Sequence, residues 1–199
     1  MQQAAGRRGE FRVSVAKDYL VFASAHFITF AGHRCEGLHG HNYRVGVVLE
    51  GALDPEGWYV VDFGVVKRIM RGLCDAIDHK VLLPLSNPKV GVEARGEFVH
   101  VTYEGRPRYV FPAADCALLP VPNTTVEMLA ELLAGRLVDA LGGEGADGVT
   151  AVELEVEENF GQSATYRVRT AERARAAAGT GQTGASHERG QERPAAPER

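Results

Sequence analysis

"CEGLHGHNYRV", Cys35–Val45, sets a thiol, a carboxylate and two imidazoles within seven residues and then runs into an alternating apolar series. Tyr43, Val45, Val47 and Leu49 occupy every second position, so they share one face of a β-strand. His39 and His41, two residues apart, leave that strand on the same face and can converge on one ion. Upstream, "FRVSVAKDYLVFASAHFI" carries Phe22, Ser24 and His26 in the same alternation and reads as a second strand. Paired as a hairpin, the two strands bring His26 alongside the other imidazoles. Three imidazoles suit zinc, and three ligands instead of four leave a position for water or substrate. Cys35, four residues before His39, is then either a fourth ligand or a base whose pKa a neighbouring cation lowers. Taken alone, His-Gly-His is also a common pattern of structural histidines, and the third imidazole in phase is what favours metal.

Outward from this core, "DFGVVKRIMRGLCDAIDH" places Val65, Val66, Ile69, Met70, Leu73 and Ile77 at helical spacing, with Asp62 set to cap the start. "NTTVEMLAELLAGRLVDAL" opens like a capped helix, repeats Leu129, Leu132, Leu133 and Leu137, and ends at Gly-Gly. "VTAVELEVEENFGQSATYRV" gives two last strands around the turn "NFGQ". Between the helices, "EFVHVTY" and "RYVFP" flank "EGRP" and read as an inserted β-hairpin at about 93–112, on which function need not depend. The order predicts an α+β domain over residues 11–170, an antiparallel four-stranded sheet with two helices on one face. Residues 1–10 are polar and aperiodic, and after about Thr170 the chain has no Leu, Ile, Val or aromatic residue. Both ends are expected to be disordered, apart from a short helical extension through "AERARAAA".

The charge balance, 22 basic against 26 acidic residues with no basic stripe, argues against a nucleic-acid partner. No apolar run approaches the roughly 20 residues that span a bilayer, and the N-terminus lacks an apolar signal core. A cytoplasmic protein with no membrane partner is expected. Cys35, Cys74 and Cys116 are too few and scattered for a disulfide framework and are expected as thiols, the latter two as small buried hydrophobes.

Further chemistry is carried by acids. Asp78 beside His79 can hold the imidazole in one tautomer for proton transfer, although an Asp-His pair also simply ends a helix. Glu127 reads as the acid of a capping box. Glu158 closes a strand alternation just before a turn, where a carboxylate can accept two parallel N–H bonds from a guanidine-like ring edge.

Together these motifs, in this order over residues 11–170, resemble the 6-pyruvoyl-tetrahydropterin synthase and 6-carboxytetrahydropterin synthase family. "FASAH" resembles its first zinc-ligand strand and "CEGLHGHNY" its Cys-x-x-x-His-Gly-His motif, which implies His26, His39 and His41 as ligands of Zn2+ and Cys35 as catalytic. "VVDFGVVK" is similar to the helix entry, "IDHKVL" to the motif supplying the catalytic pair Asp78 and His79, and "TTVEMLA" to the pterin-pocket segment that implies Thr125 and Glu127. Met128 stands there where Asn is usual, and Asn159 where Thr is common. Glu158, eight residues before Tyr166, has the spacing of the pterin-anchoring glutamate. The resemblance implies a tunnelling fold assembled as trimers and hexamers with sites between subunits, and 7,8-dihydroneopterin triphosphate as substrate. Loss of acetaldehyde gives 6-carboxytetrahydropterin on the route to queuosine, whereas triphosphate elimination with internal redox gives 6-pyruvoyl-tetrahydropterin. A third branch, marked by Glu-x-x-His-Gly-His, makes 6-hydroxymethyl-dihydropterin for folate. Cys35 followed by Glu36 combines the signatures, so Glu36 is a further candidate. The Ala/Arg/Gly-rich composition suggests a GC-rich bacterial source and favours the 6-carboxytetrahydropterin reaction. A non-catalytic pterin- or metal-binding protein of the same fold is the reading from another class, against which Cys35, Asp78 and His79 argue.

Overall fold

The computed structural model describes residues 10–174 apart from 16, 17, 19, 33 and 147. The predicted disordered N-terminus, apart from residue 10, and the tail from 175 lie outside the described residues; residues 170–174 are helical, as the reading of "AERARAAA" expects.

The alternation of Tyr43, Val45, Val47 and Leu49 builds the central strand, β5 (His39–Gly51), on which all four are buried. One edge of β5 is shared in tandem by β1 (Phe11–Val15) and β2 (Val21–His26), both antiparallel to it. Val15 faces Val47 and Val21 faces Arg44, so six positions on one side span three on the other. The single predicted strand is therefore two strands with a register break between them. Fully buried Leu20 repairs the gap, its carbonyl accepting the Val45 N–H at 2.8 Å. The other edge of β5 carries β11 (Val149–Asn159) and then β12 (Gln162–Arg169), an antiparallel pair that turns at Gly161 with φ 80°.

The expected four-stranded antiparallel sheet is a seven-stranded mixed one. β6 (Lys80–Pro84) adds in parallel to β2, and β10 (Cys116–Leu119) in parallel to β6. These short apolar runs lack the alternation that marks a half-buried strand, so periodicity does not find them. β3 (Thr29–Phe30) and β4 (Arg34–Cys35) form a small ladder between β2 and β5.

Both helices cover one face. α1 (Phe63–Asp75) starts where the Asp62 carboxylate accepts the Gly64 N–H at 2.7 Å, and buries Val66, Met70 and Cys74. α2 (Val126–Gly142) buries Leu129, Leu133 and Leu137. They meet Phe22, Tyr43, Val45, Leu49, Val152, Leu154 and Val156 in one core. The predicted capping box of α2 does not form: Thr125 is the N-cap and makes no side-chain bond, and the Thr124 hydroxyl donates to Phe27 O.

The predicted hairpin is a three-stranded meander, β7 (Val90–Arg95), β8 (Phe98–Tyr103) and β9 (Arg106–Pro112). The first strand, "VGVEAR", opens on a Gly-containing, weakly apolar run that the pattern does not reveal. Glu104 and Gly105, with φ 49° and 76°, join β8 to β9 in the primed turn that suits strand twist. Val99 and Val101 pack this layer on Phe27, Leu83 and Val90 in a second, smaller core that also receives Cys35 and Tyr109.

Candidate active site

The register of β2 on β5 sets His26 directly opposite His39, and His41 follows on the same face. One ring nitrogen from each of the three lies within 4.8 Å of the others, so they are positioned to hold a metal ion. Two tautomers are fixed by main-chain carbonyls, which only accept. His26 Nδ1 is 2.8 Å from Thr124 O and His39 Nδ1 is 2.9 Å from Gly37 O, so both carry their proton on Nδ1 and keep the Nε2 lone pair for the cluster. His26 is 2% exposed, and its Nε2 has no hydrogen bond of acceptable geometry. A buried lone pair without a donor, beside two further imidazoles, is the chemistry a borderline-soft divalent cation satisfies. His41 Nδ1 lies 3.3 Å from the Asn159 amide; metal binding through Nε2 needs Nδ1–H there, hence the amide with its oxygen toward the ring.

Glu158, at the end of β11, stands 3.2 Å from Nε2 of both His26 and His41. Burial is the main force lowering the His26 pKa, with the other two imidazoles adding to it; the Thr124 carbonyl and Glu158 act in opposition. Tyr43, fully buried beneath the imidazoles, has its phenol pKa raised, first by burial and then by the Glu158 charge, so its proton stays on. Glu36 Oε2 is 3.8 Å from His39 Nε2, at the exposed side of the cluster.

The remaining predicted groups stand apart. Among the described residues no hydrogen bond or ion pair links Cys35, Asp78 or His79 to the three histidines, and Cys35 is outside the metal-holding group. Cys35 ends β4, half-buried against the meander; burial raises its thiol pKa, Arg108 opposes this and Glu36 reinforces it. Asp78 and His79 lie past the end of α1 in the turn entering β6. There Asp78 Oδ1 accepts the Ala23 N–H at 2.7 Å, and Oδ2 lies 2.8 Å from His79 Nδ1. That pairing puts the His79 proton on Nδ1 and leaves Nε2 free on a ring that is 82% exposed. His79 takes φ 56°, a left-handed conformation fixed in part by its N–H bond to Ala23 O at 2.6 Å. Thr125 is half-buried and Glu127 exposed at the start of α2, with no bond to the cluster among the described residues.

On the face of the sheet opposite the helices, a 690 Å³ groove runs past Ala23, Ala25, Asn42, Arg44, His79 and Phe160 and reaches His41. Phe160, at the β11–β12 turn, is 84% exposed and lies under the Arg44 guanidinium at 4.6 Å. An exposed ring and a cation at the mouth of a groove suit a flat, anionic ligand.

Residues 15–169 match the family described as 6-pyruvoyl tetrahydropterin synthase. The chain belongs to this family. The chain is 38% identical over 148 residues to a Methanocaldococcus jannaschii protein named as a putative 6-carboxy-5,6,7,8-tetrahydropterin synthase, covering 74% of this chain and 90% of that one. An Aquifex aeolicus 6-carboxy-5,6,7,8-tetrahydropterin synthase is 27% identical over 136 residues, 68% of this chain and 76% of that one. The crystal structure of Plasmodium vivax 6-pyruvoyl tetrahydropterin synthase superposes with a TM-score of 0.74 at 28% identity, over 81% of this chain and 99% of that one. That protein has also been solved with a catalytic glutamate replaced by alanine or cysteine.

In this member of the 6-pyruvoyl tetrahydropterin synthase family, three residues around the site escape motif reading. Thr124, not Thr125, faces the cluster: its carbonyl holds His26, and its fully buried hydroxyl donates to Phe27 O at 2.9 Å. Arg108 Nη2 donates to Glu36 O at 2.6 Å and reaches Cys35 O at 3.5 Å. The Tyr109 hydroxyl accepts the Leu38 N–H at 3.1 Å. Thr124 carried a faint signal as the first Thr of "TTVEMLA"; Arg108 and Tyr109 carried none, since only the folded meander brings them to the Cys35–Leu38 loop.

Proposed function

We propose that this family member converts 7,8-dihydroneopterin triphosphate to 6-carboxy-5,6,7,8-tetrahydropterin, with zinc held by His26, His39 and His41. The observation that carries the reading is the imidazole trio anchored on buried His26, with the Nε2 lone pairs of His26 and His39 left facing inward by carbonyls at their Nδ1 atoms. The choice of product is supported by the names of the curated relatives. When bound, zinc supplies Lewis acidity that lowers the pKa of hydroxyl groups on the substrate side chain.

The chain's own groups move and hold protons. His79, its Nδ1–H tied to Asp78, offers a free Nε2 at the groove as base and acid. Cys35 is the second proton-transfer group; burial raises its thiol pKa, Glu36 adds to this, and Arg108 opposes it in favour of the thiolate. Glu158 orients the ring by accepting from its amino edge, which requires the carboxylate to turn from the imidazoles it now faces. Thr125 and Glu127 belong to the pterin pocket in this reading, contributed across a subunit boundary in a trimer or hexamer, a cytoplasmic assembly whose size sedimentation would measure. No helix among the described residues is long and apolar enough to cross a membrane.

Product analysis after incubation with dihydroneopterin triphosphate tests the reading. The expected product is the carboxy-pterin, lost in Cys35→Ala, with zinc lost in His39→Ala. A wild type that binds no zinc, or a Cys35→Ala variant of full activity, overturns it.

A second reading rests on Glu36, 3.8 Å from His39, and on the catalytic glutamate of the P. vivax relative. In that reading the protein also releases 6-hydroxymethyl-dihydropterin, and Glu36→Ala abolishes that product alone.

A further inference from the structure

Arg108 holds an unusual place in the meander. Val101 pairs with Tyr109, but the next residue, Thr102, pairs with Pro107, so Arg108 is the extra residue of a bulge in β9. A bulge re-aims the side chain it displaces and commonly does so beside an active site. Here the displaced guanidinium crosses to the loop between β4 and β5, where one nitrogen donates to Glu36 O at 2.6 Å and reaches Cys35 O at 3.5 Å. Its neighbour Tyr109, under the guanidinium at 5.2 Å, secures the same loop through Leu38 N. From the other side the loop is tied by Glu36 N–H to Ile28 O at 3.0 Å and by the pairing of Cys35 with Thr29.

We propose that Arg108 is a positioning residue: through their main-chain carbonyls it fixes Cys35, a proposed proton-transfer group, and Glu36 relative to the histidine cluster, making the meander a working part of the site. The inference rests on the function proposed above. A guanidinium suits the task because it stays charged and presents several donors in a fixed plane, so one group spans consecutive carbonyls. Lysine has three donors, but on a flexible stem with a freely rotating head, so it holds the two carbonyls less rigidly.

Three variants of the full-length protein test this: Arg108→Met, Arg108→Lys and Tyr109→Phe, with exposed Arg106→Met on the same strand as control. The readouts are kcat and KM at a temperature where each is folded, zinc content, and hydrogen exchange of the 34–41 segment. Misplacing a reacting group by about 1 Å costs on the order of 100-fold in rate. Arg108→Met is therefore expected to lose 10- to 100-fold in kcat with KM within about threefold, with zinc content unchanged. Exchange at Leu38 is expected to rise about tenfold. Arg108→Lys should recover part of kcat, Tyr109→Phe should loosen exchange at Leu38, and Arg106→Met should match wild type. Arg108→Met with wild-type kcat, or with unchanged exchange, overturns the inference; if that variant does not fold, Arg108→Lys at full kcat does so. An inactive wild type overturns the proposed function and the catalytic meaning of the clamp together, whereas an active wild type beside a fully active Arg108→Met removes only the clamp.

Discussion

Replacing Thr124 by Val keeps the shape of a fully buried side chain and removes one hydroxyl, the donor to Phe27 O at 2.9 Å. The main-chain carbonyl of residue 124, which orients His26, is untouched. Leaving a buried carbonyl without its donor costs about 1–3 kcal/mol. In a domain of 150–250 residues each kcal/mol moves Tm by about 2–4 °C, so a mid-range loss of about 2 kcal/mol lowers Tm by about 4–8 °C. Thr124→Ser keeps the hydroxyl and gives up one methyl group, about 0.8 kcal/mol, and should fall by less than half as much. Because the Thr124–Phe27 bond joins the residue after His26 to the one that orients its ring, the loss also reaches the metal. Changes to groups that orient a ligand typically cost 10- to 100-fold in affinity, and that range is expected for Thr124→Val under the zinc assignment. Thermal unfolding by circular dichroism, followed by titration against a zinc chelator, measures both quantities. A Thr124→Val protein with wild-type Tm, or a Thr124→Ser protein that falls as far, would refute the claim that the hydroxyl, and not the packing, braces His26.

Three further variants have outcomes that follow from the fold. The Asp78 carboxyl pKa is lowered, first by the Ala23 N–H and then by His79. The folded state thus disfavours its protonation, so this stabilisation is complete above the unfolded value near 3.9 and is lost as pH falls through the lower folded value. Urea unfolding should show wild type more stable than Asp78→Asn at pH 7 and the gap closing below about pH 4; a gap that widens in acid contradicts the assigned pairing. At Gly51, an added Cβ would stand 2.2 Å from Gly148 O. Gly51→Ala is expected to cost about 3 kcal/mol by overpacking against backbone. Gly72→Ala, in open space on α1, should stabilise by roughly 0.5–1 kcal/mol; differential scanning calorimetry compares the two.

The sequence by itself determined the elements whose burial has a period. Tyr43 to Leu49, Phe22 to His26 and Val152 to Val156 alternate because one face of each strand meets the helices, and α1 announces its start because Asp62 caps it with its own carboxylate. That His26 could share a face with His39 and His41 was implicit in that alternation; the register that sets it opposite His39 was not. Tertiary structure alone decided what lacks a local signal. β6 and β10 exist because a parallel edge was available beside β2, and β1 parts from β2 because β5 accommodates six residues against three. The Thr124 hydroxyl donates to the buried Phe27 carbonyl, and the cap of α2 falls to Thr125, which makes no side-chain bond to it. Arg108 and Tyr109, more than seventy residues from Cys35 and Leu38, reach that loop only through a bulge in β9, where a single register shift turned a strand residue toward it. Local patterns record which face of a residue is buried; which distant atoms it meets there depends on how the strands are ordered and aligned.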